Sequence, residues 1–262
     1  VWLFIICAIA FFYFTFCSIY DNSPDLAMSV FLLVTTQYFF IFLNGMRQMV
    51  AASLLLFSIR YIRHRKFLPF AACVAIAATI HLSAIVCLPM YFLYGKKING
   101  LKVCGILLLI RMILPKLVPA LISILSHTRY VKYFGSIYDK GTQGMIQLLM
   151  EFVVLIFAYS LYNQQDGNTL CSSTYSLFVN LKLMSFGIAL FESVLPLLLR
   201  IRWYYGFSTI ILIPLALQRI RNKRYKFAIS VCIAILYSIY TLYVVGLKNG
   251  NTVLPYRTIL ER

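Results

Sequence analysis

Acidic side chains are scarce in this chain: seven Asp and Glu stand against 24 Lys and Arg in 262 residues. Enzymes built on carboxylate pairs have few candidate residues here, and a dicarboxylate metal site has fewer still. The seven cysteines form no C-x-x-C pair and no Cys/His group, so neither a metal site nor a disulfide framework is indicated. Scattered mostly through apolar runs, they read as small packing residues. H-E-x-x-H, G-x-S-x-G, G-x-x-x-x-G-K-[ST] and G-x-G-x-x-G are all missing, which removes the usual signatures of soluble enzymes. There is no internal repeat and no low-complexity tract.

Apolar residues fill that space. They make up 62% of the chain, only 12% of residues are charged, and the mean hydropathy is +0.86. Apolar runs of membrane-spanning length recur throughout, and a span needs about 20 residues. The expected fold is all-α: a polytopic transmembrane helical bundle of about nine to ten segments, forming a single integral membrane domain over residues 1–262. The spans are drawn at 2–19, 27–43, 47–62, 67–94, 103–125, 144–162, 174–199, 203–218 and 227–246. The chain opens inside an apolar run at Val1-Trp2-Leu3, without a charged n-region, so a signal peptide is not expected. The expectation is a fragment that lacks an N-terminal portion.

The net charge of +17 does not point to nucleic acid. The Lys and Arg sit in short loops between apolar runs, where cytoplasmic retention of positive charge is the ordinary cause. Anionic membrane lipids are the expected counterpart. Two loops are dense in charge, residues 60–66 and 219–226, and both are expected to face the cytoplasm.

Residues 67–94 are long for one span and carry His81 and Ser83 in the middle. Read as one helix, they send loop 95–102 outside. Broken or re-entrant near His81, they return that loop and its three lysines to the cytoplasm, which the charge rule favours. Broken helices at membrane depth line cavities, because freed backbone groups need partners. The extracytoplasmic side then receives the Arg47 end, the His81 tip, the aromatic loop 129–140, the Arg200-Ile201-Arg202-Trp203 segment and the tail around Arg257. The turn at residues 60–66 lies midway between Arg47 and His81. Two helical arms put each of them roughly 20–25 Å from that turn, at one depth.

Arg47 and His81 each have more than one reading. Arg47, beside Asn44 and Gln48, is either an interfacial arginine snorkelling to head groups or a bidentate clamp on phosphate. His81 is a helix–helix hydrogen-bonding group to Ser83 or a backbone carbonyl, a general base for a hydroxyl nucleophile, or a proton relay. Glu151 and Glu192 fall within spans and are expected to pair with Arg or Lys in the bundle.

A family resemblance rests on specific residues. Asn44-Gly45-Met46-Arg47-Gln48, Ala51, the Arg60–Lys66 turn with Phe67, Ala77, His81-x-Ser83-Ala84 and Pro89-x-Tyr91 together resemble the core of the EpsG-type exopolysaccharide polymerases, which are Wzy-like membrane proteins. Arg202-Trp203-Tyr204-Tyr205 and Pro255-Tyr256 resemble that family's later landmarks. The dense part of the match is residues 40–94. An early Arg and a Gly-Thr-Asp-like segment found in family members have no counterpart before residue 44.

The resemblance implies a glycosyltransferase of the bacterial cytoplasmic (inner) membrane, multi-pass, that polymerises undecaprenyl-diphosphate-linked oligosaccharide repeat units into exopolysaccharide or capsular polysaccharide. It implies Arg47 and His81 as catalytic residues. Asn44, Gln48, Ser83, Arg200, Arg202 and Arg257 are implied as binders of the diphosphate or glycan. No cofactor, metal or nucleotide is implied; chain-length regulator and flippase proteins are the implied partners. Two other readings stay open: a transporter or flippase of lipid-linked glycans, and a membrane acyltransferase modifying polysaccharide.

Overall fold

Every regular element among the described residues is helical. Hydrocarbon offers backbone groups no water, so each segment must satisfy its own N–H and C=O groups. The computed structural model describes residues 2–125, 145–162, 169–195 and 198–249. Arg257 and loop 129–140 therefore lie outside the described residues. The helices gather into two compact units, Val1–Leu88 with Thr209–Arg262, and Pro89–Ser208.

The first unit contains α1 (Trp2–Asn22), α2 (Leu26–Thr35), α3 (Tyr38–Asn44), α4 (Met46–Arg63), α5 (Phe67–Ile80), α10 (Thr209–Gln218) and α11 (Lys223–Thr241), which runs into a π-helical turn (Leu242–Leu247). Its centre is α4, packed against α1, α3 and α5. The buried face of α1 carries Phe11, Thr15, Ser18, Ile19 and Asn22, spaced three and four apart as one helix face requires. Small hydroxyl residues there allow close approach in a medium that supplies no hydrophobic drive between helices.

Two interruptions shape this unit. The span expected over 27–43 is split at Thr36 and Gln37, and its halves α2 and α3 meet at 49°. The Thr35 hydroxyl donates to the Phe31 carbonyl at 2.9 Å, the local competition by which Thr weakens and bends helices. Gln37 then takes a left-handed φ of 72°. The Thr35 carbonyl at the α2 terminus accepts a bond from the Thr241 hydroxyl at 2.8 Å. The other interruption is at His81, where α5 stops and a 3₁₀ helix (Leu82–Leu93) begins. The break expected near His81 is therefore present.

The second unit contains α6 (Gly100–Leu125), α7 (Met145–Ser160), α8 (Thr169–Phe191) and α9 (Leu198–Gly206). Here α8 is central, meeting α6, α7 and α9, with Leu155, Leu183 and Phe186 at the core. Among the described residues, three helices are long and apolar enough to cross a membrane: Trp2–Asn22, Ser172–Phe191 and Lys223–Leu247. The bent pair α2–α3 makes a fourth if taken as one span. Several of the other segments drawn from hydropathy are shorter apolar helices or are interrupted, as at His81.

Candidate functional site

The first candidate is the α4–α5 hairpin. α4 closes with Lys66 N–H donating to the Tyr61 carbonyl at 2.9 Å and Arg65 N–H to Ile62 at 3.0 Å. Arg65 takes the left-handed φ of 58°, so the ending is a Schellman cap. This basic end is tied to the C-terminus of α1. Arg60 pairs with Asp21, and Arg63 donates to the Asp21 carbonyl and to Asn22 Oδ1, both at 2.9 Å.

The other end of the hairpin holds the expected polar residues. Asn44 is the last residue of α3, and Gly45 caps both that helix and the start of α4. Arg47 sits in the first turn of α4 and is exposed, whereas Gln48 is buried. Among the described residues, no carboxylate pairs with Arg47. His81 ends α5 in an extended conformation, φ −149° and ψ 107°, its N–H donating to Ala77 at 2.8 Å. Its carbonyl accepts from Ala84 N–H at 2.9 Å, which starts the next helix. Both ring-bearing His81 and nearby Ser83 are half-buried. At 1.5 Å per residue, Arg47 and His81 stand about 24 and about 21 Å along their helices from the basic turn. They share one end of one hairpin.

The second candidate lies in the other unit, where four ionisable side chains meet in the interior. Lys182 Nζ is 2.7 Å from Glu151 Oε2, and Arg202 Nη1 is 3.2 Å from Glu151 Oε1. Arg202 Nε is 2.6 Å from Glu192 Oε1, and the Ser185 hydroxyl donates to Glu151 Oε2 at 3.1 Å. Two cations meet two carboxylates, so the group carries no net formal charge. That balance accounts for Lys182 and Arg202 being only 1% and 2% exposed, since an unpaired buried ion costs several kcal/mol. Glu192 Oε2 is buried and has no hydrogen-bond partner among the described residues.

This arrangement separates the two arginines of α9. Residues two apart on a helix face directions about 200° different; Arg202 turns inward, and Arg200 is half-buried on another side. Arg202, expected among the diphosphate ligands, is instead engaged by two carboxylates. The expectation that Glu151 and Glu192 pair with basic residues holds for both. Lys182 was missed, although it had a signal. It stands at the middle of the Ser172–Phe191 span, about 15 Å from either end, beyond the reach of a snorkelling stem. Among the described residues, no group of three or more His, Cys, Asp or Glu is placed to hold a metal ion.

The hairpin thus keeps Asn44, Arg47, Gln48, His81 and Ser83 in one unit, while Arg200 and Arg202 belong to the other. Neither a comparison with curated proteins nor one with solved structures found a match. The model of the EpsG family matches residues 1–258, and this multi-pass helical membrane protein belongs to that family.

Proposed function

We propose that the chain is a polysaccharide polymerase: a membrane glycosyltransferase that joins lipid-linked oligosaccharide repeat units on the extracytoplasmic face of the bacterial cytoplasmic membrane. The observation that carries this reading is the hairpin end, where an exposed arginine and a half-buried histidine stand at one level of an apolar bundle. Family membership supports it.

In this reaction an acceptor sugar hydroxyl attacks the anomeric carbon of the growing glycan. The new glycosidic C–O bond forms as the bond to the lipid diphosphate breaks, and the diphosphate leaves with the electron pair. The negative charge that develops on it is what the enzyme must stabilise. Arg47 serves this role through its planar fork, which matches phosphate oxygens in pairs. His81, as neutral imidazole, accepts the proton of the attacking hydroxyl. Asn44, Gln48 and Ser83 bind the sugar or diphosphate beside them. Arg200 is a further cationic candidate on α9.

The test is chain length in a strain depending on this protein, with Arg47→Ala and His81→Ala in the full-length protein. Long polymer disappears and single repeat units accumulate; normal length in both variants rejects the reading.

A flippase for lipid-linked glycans is the second reading, favoured by the breaks at Gln37 and His81, since broken spans are how transporters build sites at membrane depth. Cysteines introduced beside Arg47 separate the two. Labelling by an impermeant maleimide from one side only, throughout turnover, favours the polymerase. Labelling from both sides favours the flippase.

A further inference from the structure

The N-terminal end of α8 borders a cavity of about 40 Å³ that the hairpin site does not account for. Its lining is polar: Lys97, Ser172, Ser173, Ser176, Tyr162 and Tyr175 contribute five hydroxyls and an ammonium, with Gly95 completing the rim.

The frame is fixed before any ligand arrives. Asn180 Nδ2 donates to the Leu93 carbonyl at 3.0 Å and the Lys96 carbonyl at 2.8 Å, which holds the Lys97-bearing loop against α8. Gly95 makes the turn with φ 70°, a conformation open to glycine without cost. The Tyr175 hydroxyl donates to the Ala158 carbonyl at 2.7 Å and the Tyr162 hydroxyl to Lys96 at 3.4 Å. Ser176 donates to the Ser173 carbonyl at 2.8 Å within its own helix.

Size and charge together choose the ligand. One water needs about 10–15 Å³ of such space, so the cavity takes about three water-sized groups. That suits the oxygens of a phosphate. Lys97 is exposed, and among the described residues no carboxylate pairs with it. Hydroxyls beside an ammonium favour an anion with several acceptor oxygens.

We propose that this cavity is a phosphate-ester site, with Lys97 supplying charge and the Ser172 and Ser173 hydroxyls donating to the phosphate oxygens. An anionic lipid head group and a soluble phosphate ester share that chemistry. The site is independent of the polymerase reading.

Native mass spectrometry of the full chain in detergent tests it, with phosphatidylglycerol and diacylglycerol of the same acyl chains as probes. ³¹P line broadening with glycerol 3-phosphate forms the soluble arm. The expected result is a preference for phosphatidylglycerol of about tenfold, the factor one charge-assisted contact carries. It is lost in Lys97→Ala and in Ser172→Ala/Ser173→Ala and kept in Lys223→Ala, an exposed cation elsewhere. The same pattern with glycerol 3-phosphate alone identifies a soluble ester. Either pattern supports the proposal. It is overturned if neither probe distinguishes those variants from the unaltered chain, or if Lys223→Ala loses as much as Lys97→Ala.

Discussion

Lys182 Nζ reaches Glu151 Oε2 at 2.7 Å in the middle of α8, while Arg202 holds the other oxygen of the same carboxylate at 3.2 Å. Removing one member of a buried pair leaves its partner's charge uncompensated and costs about 3–5 kcal/mol. Lys182→Met is expected to lower stability by that amount. The double variant Glu151→Gln/Lys182→Met leaves Arg202 with Glu192 and recovers more than half of the loss. Thermal unfolding of the three proteins in one detergent measures both effects.

Pro214 lies inside α10 and has no N–H for the carbonyl of Ile210, four residues earlier. The Ser29 hydroxyl, fully buried, donates to that carbonyl at 2.8 Å. Ser29→Ala strands the carbonyl and is expected to cost about 1–3 kcal/mol. In a Pro214→Ala background the helix supplies its own bond, and the same Ser29→Ala change costs less than half as much. A double-mutant cycle by thermal unfolding reads the difference.

If Arg47 acts through its fork on a diphosphate, charge alone does not replace it. Arg47→Lys then lowers polymerisation about 100-fold or more, as loss of one charge-stabilising donor group does elsewhere. Rates with a purified lipid-linked repeat unit check this. Full activity in Arg47→Lys would reduce the residue to a head-group anchor.

Gly100 begins α6 directly against a ring. A Cβ added there would lie 2.6 Å from Tyr159 Cζ, and Tyr159 is held by a bond from its hydroxyl to the Ile98 carbonyl at 3.1 Å. Gly100→Ala is expected to destabilise the fold by about 1–3 kcal/mol through overpacking. Gly100→Ala/Tyr159→Leu makes room and regains part of it, measured again by thermal unfolding.

Much of the helical layout is legible in the residue order. The hairpin turn at residues 60–66 and the stop near residue 22 are marked by polar residues between apolar runs. The break at His81 follows from a polar residue in an overlong span combined with the charge bias of the next loop. The break at Gln37 was not read, because Thr35 and Thr36 fit an apolar span by hydropathy. Their effect is local: the Thr35 hydroxyl takes a carbonyl of its own helix. Arg202 resembled a free arginine near a helix end because its neighbours in sequence are apolar, and its two carboxylates lie 10 and 51 residues away.

By itself, then, the sequence determined that this chain is helical and membrane-embedded, and that Arg47 and His81 stand level in one hairpin. Those properties depend on hydrophobicity, on local backbone bonding and on a fixed rise per residue. Only the tertiary structure decided which ionisable residues neutralise one another. Helical periodicity tells which face a residue occupies, whereas pairing at low dielectric depends on ångström-scale approach between different helices. That is why Arg202 and Lys182 belong to the interior of one unit and Arg47 stays exposed at the end of the hairpin in the other.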